Sequence, residues 1–265
     1  MTADNSASDG GPFADIRRLI ATMPGPDREA IGMICERDAM LTKPAGALGR
    51  MEQLVEWLGA WQGKGSPSLD RPLVCVFAGS HGVTARGVSA YPAEVNRQML
   101  DNFAAGGGAI NQICAAYGLG FKVFDLAIDL PTGDICVGPA FSEKDCVATM
   151  AFGMEAVAAG TDCLALGEMG IGNTTIAAAI YAALFGGDPS HWVGRGTGVD
   201  EAGIAGDGKR QDRVAVGAHR IGIGAPDGAE QQPVANRAAV DGEMDVRSEE
   251  RRVGKECRSR WSPYD

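Results

Sequence analysis

The sequence contains no G-x-G-x-x-G, no C-x-x-C pair and no run approaching 18 consecutive apolar residues. The first absence removes the fingerprint of a dinucleotide fold. The second removes a zinc ribbon, and the third a membrane-spanning helix. Histidine is scarce: the three, His81, His191 and His219, have no ligand partners at metal spacing, so no metal site is expected. Cations are outnumbered, 24 Lys and Arg against 34 Asp and Glu for a net charge of −10, which argues against a nucleic-acid surface. The N-terminus, Met1 to Gly11, is polar rather than basic-then-apolar, so it does not read as a secretory signal. The seven cysteines are odd in number and mostly lie in apolar runs such as Val74-Cys75-Val76. They read as buried free thiols in a reducing cytoplasm.

The last quarter lacks something else. All 14 leucines and all 8 phenylalanines lie within residues 1–200. From Glu201 to Asp265 only 13 of 65 residues are large apolars or Cys, while 11 of the 24 Lys and Arg lie at or beyond Lys209. Such a stretch has little to bury, so residues 206–265 are expected to be a poorly packed tail. Its final part, Arg247 to Asp265 (RSEERRVGKECRSRWSPYD), reads more like adapter read-through than a domain end.

What is present suits one large domain or two modest ones: 265 residues, 45% apolar and 22% charged. Glycine, at 38 residues, runs to about twice its average usage and points to tight turns and backbone–ligand contacts. Residues 13–22, 27–40 and 46–62 read as helices, with Pro24 and Pro26 breaking between the first two. Leu73 to Ala78 (LVCVFA) is a bounded apolar run of strand length, suited to a buried parallel strand. Helices follow at Pro92–Ala105 and Ala109–Tyr117, a strand at Phe121–Ile128, a helix at Glu143–Ala159, a strand at Cys163–Leu166 and a helix at Thr174–Phe185. Strands alternating with helices imply an α/β fold with a parallel sheet and helices on its faces. The expected division is a disordered segment at 1–12, a small helical N-terminal subdomain at 13–70, an α/β core at 71–205 and the tail at 206–265.

The most informative stretch is Leu164 to Thr175, LALGEMGIGNTT. A strand ending at Gly167 leads into a loop with further glycines, and Asn173 or Thr174 can cap the next helix. Free backbone N–H groups and the positive end of a helix dipole would form an anion cradle there. Glu168 would sit at the carboxyl end of the strand, where open α/β sheets bind ligands. An ordinary glycine-rich turn with a solvated glutamate fits the same pattern. Trp192 to Gly198 (WVGRGTG) is a second glycine cluster, suited either to a phosphate or sugar or to a plain loop. His81, after the first strand, reaches the same edge of the sheet; a lone His there is more often a structural hydrogen-bonder than a catalyst. Gly203 to Arg210 (GIAGDGKR) falls short of a P-loop, because Arg210 stands where Ser or Thr should reach Mg²⁺ and Asp200-Glu201 precede it instead of a strand.

Four segments in order carry a family resemblance: LTKPAGALGRME (Leu41–Glu52), VSAYPAEVNRQM (Val88–Met99), GEMGIGNTT (Gly167–Thr175) and GRGTGVDEAG (Gly194–Gly203). Together they resemble the nicotinate-nucleotide–dimethylbenzimidazole phosphoribosyltransferase family, from about Ile16 to Ala205. The resemblance implies a Rossmann-like parallel sheet with a smaller helical domain, a homodimer, and no metal or cofactor. It implies transfer of a phosphoribosyl group from nicotinate mononucleotide to 5,6-dimethylbenzimidazole, giving α-ribazole 5′-phosphate and nicotinate in cobalamin assembly. By the same resemblance Glu168 is the active-site glutamate, and Met169, Tyr91 and Met99 line the benzimidazole pocket. Gly170, Asn173 and Thr174, with Gly196, Thr197 and Gly198, surround the ribose phosphate, and Lys209 is the nearest match to a substrate-contacting lysine.

The resemblance also implies a second glutamate, the family's proposed general base, in a Gly-Glu-Gly-(Ser/Thr)-Gly segment. This sequence contains no such segment; Gly242-Glu243-Met244 lacks the glycines that should follow. This sequence is therefore expected to be nearly inactive as a transferase, and a catalytically impaired relative that only binds nucleotide or base is the alternative reading.

Overall fold

The computed structural model describes residues 11–188 and 191–198. In chain order the helices are α1 (Ala14–Ala21), α2 (Arg28–Ala39), α3 (Arg50–Gln62), α4 (Val95–Ala104), α5 (Ala109–Tyr117), α6 (Glu143–Met154) and α7 (Asn173–Phe185). The strands are β1 (Pro72–Ala78), β2 (Gly120–Asp125) and β3 (Cys163–Met169), and short 3₁₀ turns cover Gly82–Arg86 and Glu155–Ala159. The strands form one parallel sheet in the order β2-β1-β3, flanked by helices, as the alternating pattern requires.

The central strand explains the layering. Cys75 pairs with Lys122 and Leu166, and Phe77 with Phe124 and Glu168, so these side chains share one face of the sheet. That face is closed by α6 and the turn after it. Cys75, Phe124 and Ala156 are buried together, Phe77 stacks on Phe124 at 5.0 Å, and Phe152 meets Phe124 edge-on at 5.8 Å. On the opposite face Phe121 meets Phe103 of α4 edge-on. A second core lies beyond the strand ends. There Ala178, Ala179 and Ala182, one helical stripe of α7, pack on Val83, Val88 and Ile135. Helix α7 therefore covers the loops after β1 and β2 rather than lying along the sheet.

Several boundaries differ from the sequence expectation. The helix expected from residue 46 begins at Arg50, because Gly46 and Gly49 turn the chain with φ of 72° and 57°. The strand expected to reach Ile128 stops at Asp125, whose carboxylate accepts the Ile128 N–H at 2.8 Å in a local turn. The third strand runs on past Leu166 to Met169, which places Glu168 within it. That strand is also more open than its apolar sequence suggests: among the described residues it is an edge strand, and Leu166 is 70% exposed. Cysteine burial is mixed. Cys75 and Cys114 are buried free thiols, but Cys35 is exposed on α2.

The helical N-terminal region is tied together by polar groups. Asp27 caps α2 by accepting the N–H groups of Glu29 and Ala30. Lys43 reaches Asp38 at 2.9 Å and Glu52 at 2.6 Å, so the charges of the Leu41–Glu52 segment hold the α2–α3 connection. At the end of α3, Gln62 donates to the carbonyls of Ser68 and Asp162. Asp162 in turn accepts the N–H groups of Asp70 and Arg71, joining the entries of β1 and β3. Burial opposes the Asp162 charge, but the Arg71 and Asp70 amides outweigh it and hold its pKa below the usual aspartate value.

Candidate active site at the carboxyl edge of the sheet

Beyond the strands the backbone keeps pairing. Gly79 donates to Met169 O at 3.0 Å, Leu126 to Ala78 O at 2.8 Å, Thr132 to Ser80 O at 3.0 Å and Gly82 to Thr132 O at 3.0 Å. His81 forms an isolated parallel bridge with Thr132. The approach is close enough that a Cβ on Gly82 would lie 2.5 Å from Thr132 O. This pairing fixes where the His81 imidazole starts, and it brings the loops after all three strands to one edge.

Glu168 occupies that edge. Its side chain lies on the Phe77 face of the exposed strand, and its Oε2 accepts a hydrogen bond from Asn173 Nδ2. The Oδ1 of the same asparagine lies 2.6 Å from His81 Nε2. Local desolvation raises the Glu168 pKa above the ordinary carboxylate value. Burial lowers that of His81, and the Asn173 contact offsets only part of the effect. The balance favours the neutral imidazole.

The glycine-rich loop after β3 is wired inward, which changes its expected role. The Ile171 N–H donates to Asn96 Oδ1 at 2.7 Å, Asn173 N–H to Gly170 O, and Thr175 and Ile176 N–H to Gly172 O. These amides are committed to the protein, so the free-amide anion cradle is smaller than the sequence implied. The cap of α7 is Gly172 at φ 93°, with no side-chain cap bond; neither Asn173 nor Thr174 fills that place. Gly170 is required by proximity, since a Cβ there would meet Asn173 Oδ1 at 2.4 Å and Gly79 O at 2.5 Å.

A second group forms around the other glycine cluster. Trp192 stacks on Tyr181 of α7 at 5.5 Å and donates to Gly186 O at 3.0 Å, which anchors the start of that segment. Thr197 Oγ1 then lies 2.7 Å from Ser89 Oγ, which also accepts the Tyr91 N–H at 3.1 Å.

Of the residues singled out from the sequence, Glu168, Gly170 and Asn173 share one hydrogen-bonded cluster. Thr197, between Gly196 and Gly198, meets the Ser89–Tyr91 segment. The two groups are linked through the stretch from Val83 onward: a Cβ on Gly172 would touch Thr84, Val83 and Val88. Tyr91 is exposed and Met99 half-buried on α4. Met169 is half-buried and, by strand alternation, points to the face opposite Glu168. Thr174 is exposed at the start of α7. Lys209 lies outside the described residues. Asn96, Ser80 and Ser89 were not singled out from the sequence; Asn96 and Ser89 lie in the Val88–Met99 segment, whose several other polar residues left no signal to pick them out. No cluster of metal-ligating side chains occurs among the described residues, and no helix among them is long and apolar enough to cross a membrane.

A family model described as phosphoribosyltransferase matches residues 23–219, most of the chain. The chain belongs to this family. The match extends past Ala205, where the resemblance read from the motifs ends, and takes in Lys209. The nicotinate-nucleotide–dimethylbenzimidazole phosphoribosyltransferase of Rhizobium rhizogenes is 62% identical over 189 residues, 71% of this chain and 56% of its own length. The enzyme of the same name from Brucella anthropi is 62% identical over 192 residues, 72% of this chain and 57% of its own. Among solved structures, CobT from Thermus thermophilus superposes with a TM-score of 0.67 at 40% identity, covering 76% of this chain and 64% of that one. The chain thus spans little more than half the length of these curated relatives.

Proposed function

We propose that this protein transfers the phosphoribosyl group of nicotinate mononucleotide to 5,6-dimethylbenzimidazole, with Glu168 as the carboxylate that receives the benzimidazole proton. In this reaction a benzimidazole ring nitrogen attacks the ribose C1′. The bond from C1′ to the nicotinate ring nitrogen breaks, and its electron pair restores a neutral pyridine ring. The leaving group therefore needs no acid. The attacking ring carries an N–H that must be shed, and a carboxylate within reach is the group the chemistry asks for.

The observation that carries the reading is Glu168 itself. It is a carboxylate on an exposed strand whose local desolvation raises its pKa, held by Asn173 at the carboxyl edge of the sheet. A raised pKa makes it a stronger base than an ordinary surface glutamate. The names borne by relatives at 62% identity support the substrates. Within this reading Tyr91, Met99 and Met169 contribute the apolar wall for the flat base. Gly170, Asn173 and Thr174, with Gly196, Thr197, Gly198 and Lys209, serve the ribose phosphate. Met169 would reach the base from around the strand end, since it leaves the strand on the other face. Residues 13–70 form the helical subdomain and 71–205 the core, and the protein works as a cytoplasmic homodimer.

The test is to incubate the protein with both substrates and quantify both products. α-Ribazole 5′-phosphate and nicotinate appearing in equal amounts is the expected outcome. Nicotinate without α-ribazole 5′-phosphate, or neither product from substrates that bind, contradicts it.

A further inference from the structure

His81 has no part in the proposed transfer, yet its surroundings are built with care. The backbone on both sides is fixed: His81 bridges to Thr132, Gly82 donates to Thr132 O, and Thr84 Oγ1 donates to His81 O at 2.7 Å. The ring is half-buried, with Nε2 on Asn173 Oδ1 at 2.6 Å and Nδ1 facing the Thr132 hydroxyl at a long 3.5 Å. Asn173 is in turn bonded to Glu168.

The direction of this chain follows from donors and acceptors. An ionised carboxylate only accepts, so the Asn173 group facing Glu168 must be its N–H. The carbonyl Oδ1 then faces His81 and needs a donor there. A neutral imidazole has one N–H, and Nε2 must carry it; Nδ1 is left as the acceptor facing Thr132. Either a reversed amide or the other tautomer would set two acceptors against each other. We propose that His81 is a positioning residue, which through Asn173 fixes the orientation of the Glu168 carboxylate toward the acceptor base. The inference deepens the reading of Glu168 as proton acceptor and rests on it. Its role is distinct, since His81 acts through Asn173 rather than on the transferred proton.

Two measurements test it on the full chain. The first needs no turnover: long-range ¹H–¹⁵N spectra of the imidazoles at pH 7. With three histidines in the sequence, the His81 signals are those missing from His81→Gln. The expected pattern is a neutral ring protonated at Nε2, with ring nitrogen shifts that move in Glu168→Ala. An Nδ1–H tautomer, an imidazolium, or shifts indifferent to Glu168→Ala overturns the proposal.

The second is single-turnover formation of α-ribazole 5′-phosphate. His81→Leu should lower the rate by up to ~10²-fold, the cost of ångström-scale misplacement, while changing the dissociation constant for nicotinate mononucleotide far less than the rate. His81→Gln, whose amide N–H can replace Nε2–H, should recover most of the loss. Equal rates for His81→Leu and wild type overturn the proposal, as does equal damage from Leu and Gln. If wild type forms no product, the transferase reading fails by itself, and the imidazole spectra still decide the His81 arrangement.

Discussion

Replacing Asn96 with alanine removes a side chain that is 1% exposed and holds two strand-end loops together. Its Nδ2 donates to Ser80 Oγ at 2.9 Å, and its Oδ1 accepts the Ile171 N–H at 2.7 Å. Ser80 and Ile171 are themselves 8% exposed, so water does not readily replace the missing partner. A buried polar group left unpaired costs ~1–3 kcal/mol. The Ser80 hydroxyl can rotate to another acceptor, whereas the Ile171 N–H is fixed by the backbone and bears most of the loss. Together with the small void, Asn96→Ala should cost ~3 kcal/mol, a large fraction of the ~5–15 kcal/mol stability of a typical domain. At a slope of ~2 kcal/mol per molar, the urea midpoint should fall by ~1.5 M. Ser80→Ala is the control. It leaves the Ile171 bond intact, and the Asn96 Nδ2 it frees keeps the Gly79 carbonyl at 3.5 Å as a partner, so it should cost only ~1 kcal/mol. The assay is equilibrium urea unfolding of both variants, followed by binding of 5,6-dimethylbenzimidazole. An Asn96→Ala midpoint no lower than that of Ser80→Ala would refute the reasoning, because the Ile171 amide would then not depend on Asn96.

Gly170→Ala forces a methyl group against Asn173 Oδ1 and Gly79 O, at 2.4 and 2.5 Å. It should cost ~1–3 kcal/mol as an overpacked site and weaken substrate binding; a melting temperature equal to wild type contradicts this. Asp162→Asn should narrow the stability margin at pH 7. Because the folded pKa of Asp162 lies below its unfolded value, the charge stabilises above the unfolded pKa of about 4. The gap between wild type and variant should therefore close as pH falls through the folded pKa, and a gap unchanged into strong acid counts against the Asp70 and Arg71 contacts. Phe124→Ala, which empties the contact with Phe77 and Phe152, should cost ~3–5 kcal/mol, measurable by urea unfolding, with less than ~1 kcal/mol contradicting the core assignment.

The parts of the fold legible in the sequence are those governed by local pattern. The apolar run of β1 and the alanine-rich stretch of α7 each announce one element. The turn at Gly46 and Gly49 was missed because the surrounding residues favour helix and only the observed φ values show the break. The openness of β3 was hidden for another reason: an apolar strand reads as buried, and whether a neighbour covers it depends on sheet order. At the site, the placement of Glu168 at the carboxyl end of its strand was legible from spacing. Of His81 the sheet edge and the hydrogen-bonding character were legible but not the partner, and Asn96 was not legible at all, because their partners lie 92 and 75 residues away. The inward wiring of the Ile171 and Asn173 amides is likewise a tertiary fact that no loop composition encodes.

The central claim is that Glu168 receives the proton in phosphoribosyl transfer. Its most direct test compares wild type with Glu168→Gln for α-ribazole 5′-phosphate formation under single-turnover conditions, with nicotinate mononucleotide binding measured in parallel. Glutamine keeps the size and can still accept from Asn173, but it cannot take up the proton. The account predicts a rate lowered by ~10²–10⁴-fold, the worth of a positioned base, with nucleotide affinity unchanged. A Glu168→Gln variant that forms product as fast as wild type would contradict it.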